Sequence, residues 1–295
     1  MSRARLPAAL LTGASGQLGR ALEATAPKAW RVVACDGSTL DVTRPEAVEE
    51  VVLRERPTLI VNAAAFTAVD AAERDAERAE AVNSGGAAHV AEAAKRAGAR
   101  LIHVSTNYVF DGAQGRPYAP ADRPHPLSVY GRTKLAGERE VTRISEGSAL
   151  IVRTSWLYSA HGRNFVLTML RLMRERDTVG VVDDQVGSPT WARGLAETIW
   201  AAAGAPAVRG VHHWTDAGVA SWYDFAVAIQ EEALALGVLA RAVPIRPLRT
   251  AEYPTDARRP GYGVLDRSAA LAGLGVPVRH WREQLRTMLR EVVPA

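Results

Sequence analysis

Residues 8–26 read AALLTGASGQLGRALEATA, and the reading of this stretch decides the fold. A short apolar run passes through Gly13, Gly16 and Gly19 into an amphipathic segment with helical spacing. A continuous apolar run too short for a helix reads as a strand buried on both faces. Glycines between a strand and a helix let backbone N–H groups and the helix N-terminus approach a pyrophosphate. Glycines also mark plain turns, and the strand-turn-helix setting is what favours a nucleotide. Asp36 closes the next apolar run, RVVACD, about 20 residues on. It reads either as a partner for a ribose 2′-hydroxyl or as a turn aspartate.

The same alternation continues. RVVACD precedes RPEAVEEVVLRER, TLIVNAA precedes ERAEAVNSGGAAHVAEAAKRAG, and RLIHVST precedes, after a loop, SVYGRTKLAGEREVTRI; ALIVRTSW follows. Strands alternating with helices predict an α/β fold, a Rossmann-type doubly wound parallel sheet covered on both faces. Residues 1–155 form the dinucleotide-binding domain in this reading, with part of about 191–215 returning to it. Residues from about 156 to 295 form a smaller α/β substrate-binding lobe. There, helical NFVLTMLRLMRER, WARGLAETIWAAA and SWYDFAVAIQEEALALG alternate with short strands, and four prolines from Pro244 to Pro260 mark a loop-rich stretch.

Composition bounds the function. The chain has 295 residues, 47% hydrophobic and 23% charged, which is ordinary globular composition. No stretch reaches the ~20 apolar residues of a membrane span. The opening MSRARLPAALLTGAS flows into the glycine motif and reads as the first strand, not a signal peptide. The single cysteine, Cys35, lies in an apolar run and reads as a buried structural thiol; a cytoplasmic enzyme is expected. The net charge of +4 is spread along the chain with no basic arm, so it suits a small anionic ligand and not nucleic acid. Among 36 basic residues only Lys28, Lys95 and Lys134 are lysines. A lysine in so arginine-rich a chain suggests a site that needs a tunable ammonium.

One lysine is placed for chemistry. YGRTK puts Tyr130 and Lys134 at i and i+4 on one helix face. An ammonium beside a phenol stabilises phenolate and lowers the tyrosine pKa from ~10, giving an acid or base usable near neutrality. Thr106 waits at the end of a preceding strand, in STNYVFDG (residues 105–112), and ligands of open α/β sheets collect at such strand ends. Asn62 to Ala65, NAAA, end another strand in small residues against which a flat cofactor can lie. Asn83 is expected on a helix, where a polar face is the plainer reading. His212 and His213 are adjacent on a strand and point to opposite faces, so they do not converge on a metal. Trp222, Tyr223 and Phe225 read as a helix start packed on the core.

Eight segments carry a resemblance: TGASGQLG, NAAAFTAVDAAE, STNYVFDG, SVYGRTKLAGE, RTSWLY, NFVLTMLRL, DDQVGSPT and RRPGYGVLD. Together they resemble the extended short-chain dehydrogenase/reductases, and within them the dTDP-4-dehydrorhamnose reductase family, from about residue 8 to about 290. The resemblance implies NADPH- or NADH-dependent reduction of the C4 ketone of a dTDP-6-deoxy-4-ketohexose, with Tyr130, Lys134 and Thr106 catalytic. It implies that Gly13, Gly16, Gln17, Leu18 and Gly19 line the cofactor pyrophosphate. Asp36, Asp41 and Val42 would border the adenosine, and Ala63, Ala64, Ala65, Phe66, Thr67 and Val104 would follow the cofactor. Val69, Thr106, Asn107, Tyr130, Trp156 and Arg259 would meet the deoxysugar nucleotide, Arg259 at its diphosphate.

The sequence departs from the family pattern at Asn107, where aspartate is usual, and at Gly263, where serine is frequent. An uncharged amide at residue 107 predicts an altered sugar preference with catalysis retained. Glutamates that bridge subunits through magnesium in some members correspond to Ala21 and Arg193, so no metal is expected, and the chain is expected to be a monomer or a metal-independent homodimer. A related dehydratase or epimerase is the first alternative, but dehydratases follow the catalytic Ser/Thr with an Asp-Glu pair, and Thr106 is followed by Asn107 and Tyr108. A non-catalytic regulatory subunit, as in methionine adenosyltransferase, is the second, and an intact Thr106, Tyr130 and Lys134 argues against it.

Overall fold

In the computed structural model, which describes residues 6–269 and 274–292, the short apolar runs are the strands of one parallel sheet. These are β1 (Ala8–Thr12), β2 (Arg31–Cys35), β3 (Leu59–Asn62), β4 (Arg100–Thr106) and β5 (Leu150–Thr154). Helix α1 (Gln17–Ala24) follows the glycine turn, and α2 (Pro45–Glu55) starts on a proline, whose missing N–H would be unsatisfied there anyway. After β3 come α3 (Val69–Arg74), α4 (Ala76–Glu80), a π-helical turn over Ala81–Gly85, and α5 (Gly86–Ala97). Helix α6 (Val129–Ile144) is capped by Ser128, whose hydroxyl accepts from the Gly131 N–H.

Beyond β5 the chain builds a second core. It contributes β6 (Leu157–Tyr158), α7 (Phe165–Glu175), β7 (Val179–Val182), β8 (Val186–Gly187), β9 (Thr190–Trp191) and α8 (Ala192–Ala203). Strand β10 (Gly210–His213) then pairs with β5 and completes a six-stranded sheet in the order β10-β5-β4-β3-β1-β2. The remaining elements are β11 (Ala220–Ser221), α9 (Trp222–Ala235), β12 (Ile245–Leu248) and α10 (Trp281–Arg290). The proline-rich stretch thus contains a strand: among the described residues β12 pairs with β7 alone, and such an edge position tolerates Pro247.

Alternate residues of each strand enter opposite faces of the sheet. Leu10, Ile60, Leu101 and Ile151 pack with α2, α5 and α6, while Leu11, Val61, Ile102 and Val152 pack with α1 and α8. The second core, away from the sheet, joins Tyr158, Met169, Phe225, Trp281 and Leu285 from β6, α7, α9 and α10. Strand order reverses between β1 and β3, the switch point where ligands bind in doubly wound sheets. There the Thr12 hydroxyl donates to Asn62 Oδ1 at 2.7 Å, and the Asn62 amide meets His103 Nδ1 at 3.1 Å, tying the ends of β1 and β3 to β4.

Two glycines seat α6. A Cβ on Gly131 would lie 2.2 Å from the Tyr108 carbonyl oxygen, and one on Gly137 would lie 2.1 Å from the Asn83 carbonyl oxygen. Both obstacles are backbone, so neither can rotate away. Asn83 is buried in the π-helical turn, where it accepts from the Phe66 N–H and donates to the Phe66 carbonyl and the Thr133 hydroxyl. Gly131→Ala forces α6 off the strand end, and overpacking of this kind costs ~1–3 kcal/mol. A lowered urea midpoint with unchanged slope is the expected result; a wild-type midpoint would show that α6 does not need this contact.

Candidate active site

A cavity of about 1070 Å³ opens above the carboxyl ends of β1, β3, β4 and β5 and is closed on its far side by the second core. That volume slightly exceeds the range of roughly 300–1,000 Å³ for a single small-molecule site, so there is room for two ligands. Its floor is the glycine turn, with Gly13, Gly16, Gln17, Leu18 and Gly19 on the wall. Gly13 has φ +70°, and a Cβ there would lie 2.8 Å from the backbone of Ala63 and Ala64. Only glycine therefore allows this turn to lie against the strand end, leaving bare backbone at the cavity. Asp41 and Val42 line one end, followed by Ala63, Ala64, Ala65 and Thr67. Val104, Thr106, Asn107, Tyr130 and Lys134 line the middle, and Val69, Trp156 and Arg259 complete the wall.

Two predicted cofactor residues do not line this cavity. The Asp36 carboxylate accepts from the backbone N–H and hydroxyl groups of both Ser38 and Thr39. Those bonds, the Ser38 hydroxyl foremost, hold its carboxyl below the usual range, and this is the turn geometry that sequence left as one alternative. Phe66 contributes its backbone to Asn83 instead of a face to the cavity. Gln17 lines the wall, but its side chain ties the glycine turn to the second core: Oε1 accepts from Ser159 and Asn164, at 3.1 and 3.0 Å. Arg78 and Arg163, which the sequence did not single out, also face the cavity.

The side chains expected to be catalytic sit where α6 meets the end of β4. Tyr130 is buried, and its ring meets Tyr108 edge-on with centroids 5.5 Å apart. Lys134 is 2% exposed and donates from Nζ to the Val104 carbonyl at 2.7 Å. Burial pushes the Tyr130 phenol up to about 12, against a hydrogen bond with Thr106 that draws it down. Burial lowers Lys134 to about 8, and the charge of Glu138 one turn farther along α6 opposes that fall. The sequence predicts a phenol lowered by the ammonium; the structure instead shows one raised by desolvation, with the ammonium directed at a backbone carbonyl. At neutral pH both groups carry their protons. Beneath them Glu138 is held by a bidentate ion pair with Arg153, at 2.6 and 2.9 Å, and accepts from the Ser105 hydroxyl. Both partners are 4% exposed.

The two departures from the family pattern touch each other. Asn107 is 2% exposed and donates from Nδ2 to the Gly263 carbonyl at 3.2 Å. A Cβ on Gly263 would come within 2.4 Å of the same nitrogen. The amide at 107 and the missing side chain at 263 are thus one feature. The Thr106 hydroxyl accepts from the Tyr108 N–H at 3.2 Å, which fixes it at the head of the short 3₁₀ turn over Asn107–Val109. Arg259 reaches the Tyr108 hydroxyl at 3.3 Å and pairs with Asp70 at 2.5 Å.

Trp156 adopts φ +48°, left-handed backbone that costs a bulky residue on the order of 1–3 kcal/mol. Its ring stacks on Trp222 with centroids 3.5 Å apart and planes 8° apart. Trp222 lines the cavity too, so it belongs to the site as well as to the second core, where sequence alone placed it. His212 and His213 bond separately, to the carbonyls of Arg209 and Tyr118. Among the described residues no three His, Cys, Asp or Glu side chains gather as a metal site. Arg193 pairs with Glu197 and Glu291.

The family model described as the RmlD substrate binding domain matches residues 8–293. A dTDP-4-dehydrorhamnose reductase of Aggregatibacter actinomycetemcomitans is 41% identical over 95% of this chain and 97% of its own length. One from Streptomyces griseus is 44% identical over 95% of this chain and 92% of its own. Among solved structures, the dTDP-4-dehydrorhamnose reductase from Bacillus anthracis in complex with NADP superposes with a TM-score of 0.92 at 35% identity, covering 97% of this chain and 100% of that one. With a family model spanning the cavity and both cores, and relatives this similar over nearly their whole length, the chain belongs to the dTDP-4-dehydrorhamnose reductase family.

Proposed function

We propose that this enzyme reduces the C4 ketone of a dTDP-6-deoxy-4-ketohexose, dTDP-4-dehydro-L-rhamnose foremost, to the alcohol in dTDP-rhamnose biosynthesis. The observation that carries the reading is a buried, protonated Tyr130 beside Thr106 and Lys134 in a cavity with room for two ligands. The bare backbone at Gly13 and Ala63–Ala65 fits a dinucleotide, and NADPH or NADH, when bound there, supplies the hydride.

The chain's own residues supply the rest. Tyr130 donates its hydroxyl proton to the ketone oxygen, which becomes the new alcohol. A reductase needs this donor protonated before the reaction, as burial leaves it, and the adjacent Lys134 ammonium and the Thr106 hydrogen bond favour release of the proton in the reaction. The Thr106 hydroxyl orients the ketone oxygen. Lys134, oriented by the Val104 carbonyl, holds the cofactor ribose and offers positive charge as the phenol loses its proton. Glu138 and Arg153 stay beneath as a neutral pair, so the ammonium faces a charge-balanced support. Asp41 and Val42 border the adenosine, and Gln17 keeps the glycine turn against the second core. Val69, Asn107, Trp156 and Arg259 receive the sugar nucleotide. Asp36, taken up by Ser38 and Thr39 outside the cavity lining, is not among the cofactor contacts proposed. A cytoplasmic location and action without a metal or nucleic acid complete the proposal.

Mixing the purified protein with NADPH and dTDP-4-dehydrorhamnose should consume the reduced cofactor in proportion to ketone. Tyr130→Phe should lower kcat by about 10²-fold or more with cofactor affinity retained. No consumption by wild type overturns the assignment, and full activity in Tyr130→Phe overturns the proton donor. At Asn107, an aspartate would aim a carboxylate oxygen at the Gly263 carbonyl, two acceptors facing each other in a buried site. Asn107→Asp alone should destabilise the protein by ~1–3 kcal/mol, Gly263→Ser alone should destabilise it by crowding the Asn107 amide, and the double variant, in which the serine hydroxyl can donate to the carboxylate, should lose less than the sum. Chemical denaturation of both single variants and the double variant checks it; additive losses would show the positions to be uncoupled.

A further inference from the structure

The segment DDQVGSPT, residues 183–190, lies outside the reacting groups, yet it supports the sugar side of the cavity. Strand β8 pairs with β11, Val186 opposite Ser221 and Gly187 opposite Ala220, and Trp222 follows β11 directly. The Ser155 hydroxyl donates to the Ser188 carbonyl at 2.7 Å, and the Thr190 N–H donates to the Trp156 carbonyl at 3.2 Å. The residues on either side of the Trp156 ring are therefore carried by one two-stranded ribbon.

The geometry at Gly187 fixes which part of the indole is left for a ligand. A Cβ added there would stand 2.6 Å from Trp156 Cε2 and 2.9 Å from each of Cζ2 and Nε1. Equal distances to the two ring neighbours, both longer than the distance to the atom between them, describe an atom directly above the ring face. An atom approaching in the ring plane would lie nearer the neighbours than the central atom. Trp222 stacks at 3.5 Å on the same indole, and none of its atoms is nearer that Cβ position than the three Trp156 atoms, so it covers the opposite face. Trp222 thus covers one face of Trp156 and Gly187 stands against the other at Cε2, beside Nε1, while Trp156 itself lines the cavity. Indole nitrogens sealed from solvent without a partner occur at Trp214 and Trp281 but not at Trp156.

We propose that Gly187 is a positioning residue for the sugar-nucleotide subsite: lacking a side chain, it lets Trp156 sit clamped against Trp222 and present its N–H edge, not its face, to an oxygen of the substrate. The ligand chemistry is a hydroxyl or phosphate oxygen accepting from an indole N–H, in place of a sugar or base stacked on an aromatic plane. This rests on the reading of Trp156 as a substrate contact. Any side chain at residue 187 displaces the indole, and in a preorganised site a small displacement is felt as lost binding.

The test is Gly187→Ala, alone and combined with Trp156→Phe. In the single variant the KM for dTDP-4-dehydrorhamnose should rise about tenfold or more, with the Kd for NADPH within about twofold of wild type. In the Trp156→Phe background, where the smaller ring leaves room, Gly187→Ala should add less than about twofold. The exciton signal of the stacked indoles in circular dichroism should weaken in Gly187→Ala, and this readout needs no substrate. An unchanged KM, fully additive effects, or loss of NADPH affinity equal to the loss of sugar affinity would each overturn the proposal. If wild type fails to reduce the ketone while the exciton signal responds as expected, the function reading falls and the clamp stands. An unaltered exciton signal in Gly187→Ala would overturn the clamp itself.

Discussion

Everything at this site depends on how closely α6 can approach the carboxyl end of β4. Two bare stretches of helix backbone, at Gly131 and Gly137, rest against carbonyls of Tyr108 and Asn83. Had either position carried a side chain, the helix would stand off the sheet, and Tyr130 and Lys134 would leave the strand end that holds Thr106. The π-helical turn over Ala81–Gly85 belongs to the same constraint: it carries Asn83, whose backbone receives α6 and whose amide fixes the Phe66 backbone and the Thr133 hydroxyl. Packing at this distance is what turns an i, i+4 tyrosine–lysine pair, commonplace on any helix, into a buried pair at the cavity.

Burial then sets the chemistry. Desolvation disfavours whichever form carries charge, so it holds Tyr130 as a neutral phenol and weakens the proton of Lys134. These two shifts act in opposite senses on a pair expected to cooperate. The phenol keeps its proton at neutral pH, and the lysine keeps its charge there with Glu138 opposing the effect of burial. Glu138 is itself tied to Arg153 and Ser105, so the charge pattern under the cavity continues down to the core of the sheet. A buried ion pair of this kind is costly to break from one side, which makes it a rigid support for the residues above it.

The sheet, the glycine turn and the tyrosine–lysine helix were legible in the chain because each is a local pattern. Short apolar runs report burial on both faces, and residues four apart on a helix share a side. What escaped the reading is non-local. Asn107 and Gly263 are 156 residues apart, and each looked like a separate departure until the amide and the carbonyl were found in contact. Trp222 looked like an ordinary helix start, since nothing in its neighbours shows that Trp156, 66 positions earlier, lies flat against it. Pro247 suggested a loop, and only an edge position beside β7 allows a strand there. Asp36 was open between a ribose partner and a turn, and its four bonds to Ser38 and Thr39 display the turn.

The central claim is that the ketone carbon of a dTDP-sugar receives a hydride while Tyr130 protonates its oxygen. The most direct measurement is the fate of a deuterium label carried by the reduced nicotinamide, followed by NMR of the sugar product. With deuterium at both C4 positions of the nicotinamide, the account predicts one deuterium per product molecule, attached to C4 and to no other sugar carbon, with the new hydroxyl proton exchanging with solvent. Product without deuterium at C4, or label appearing at another sugar carbon, would contradict it.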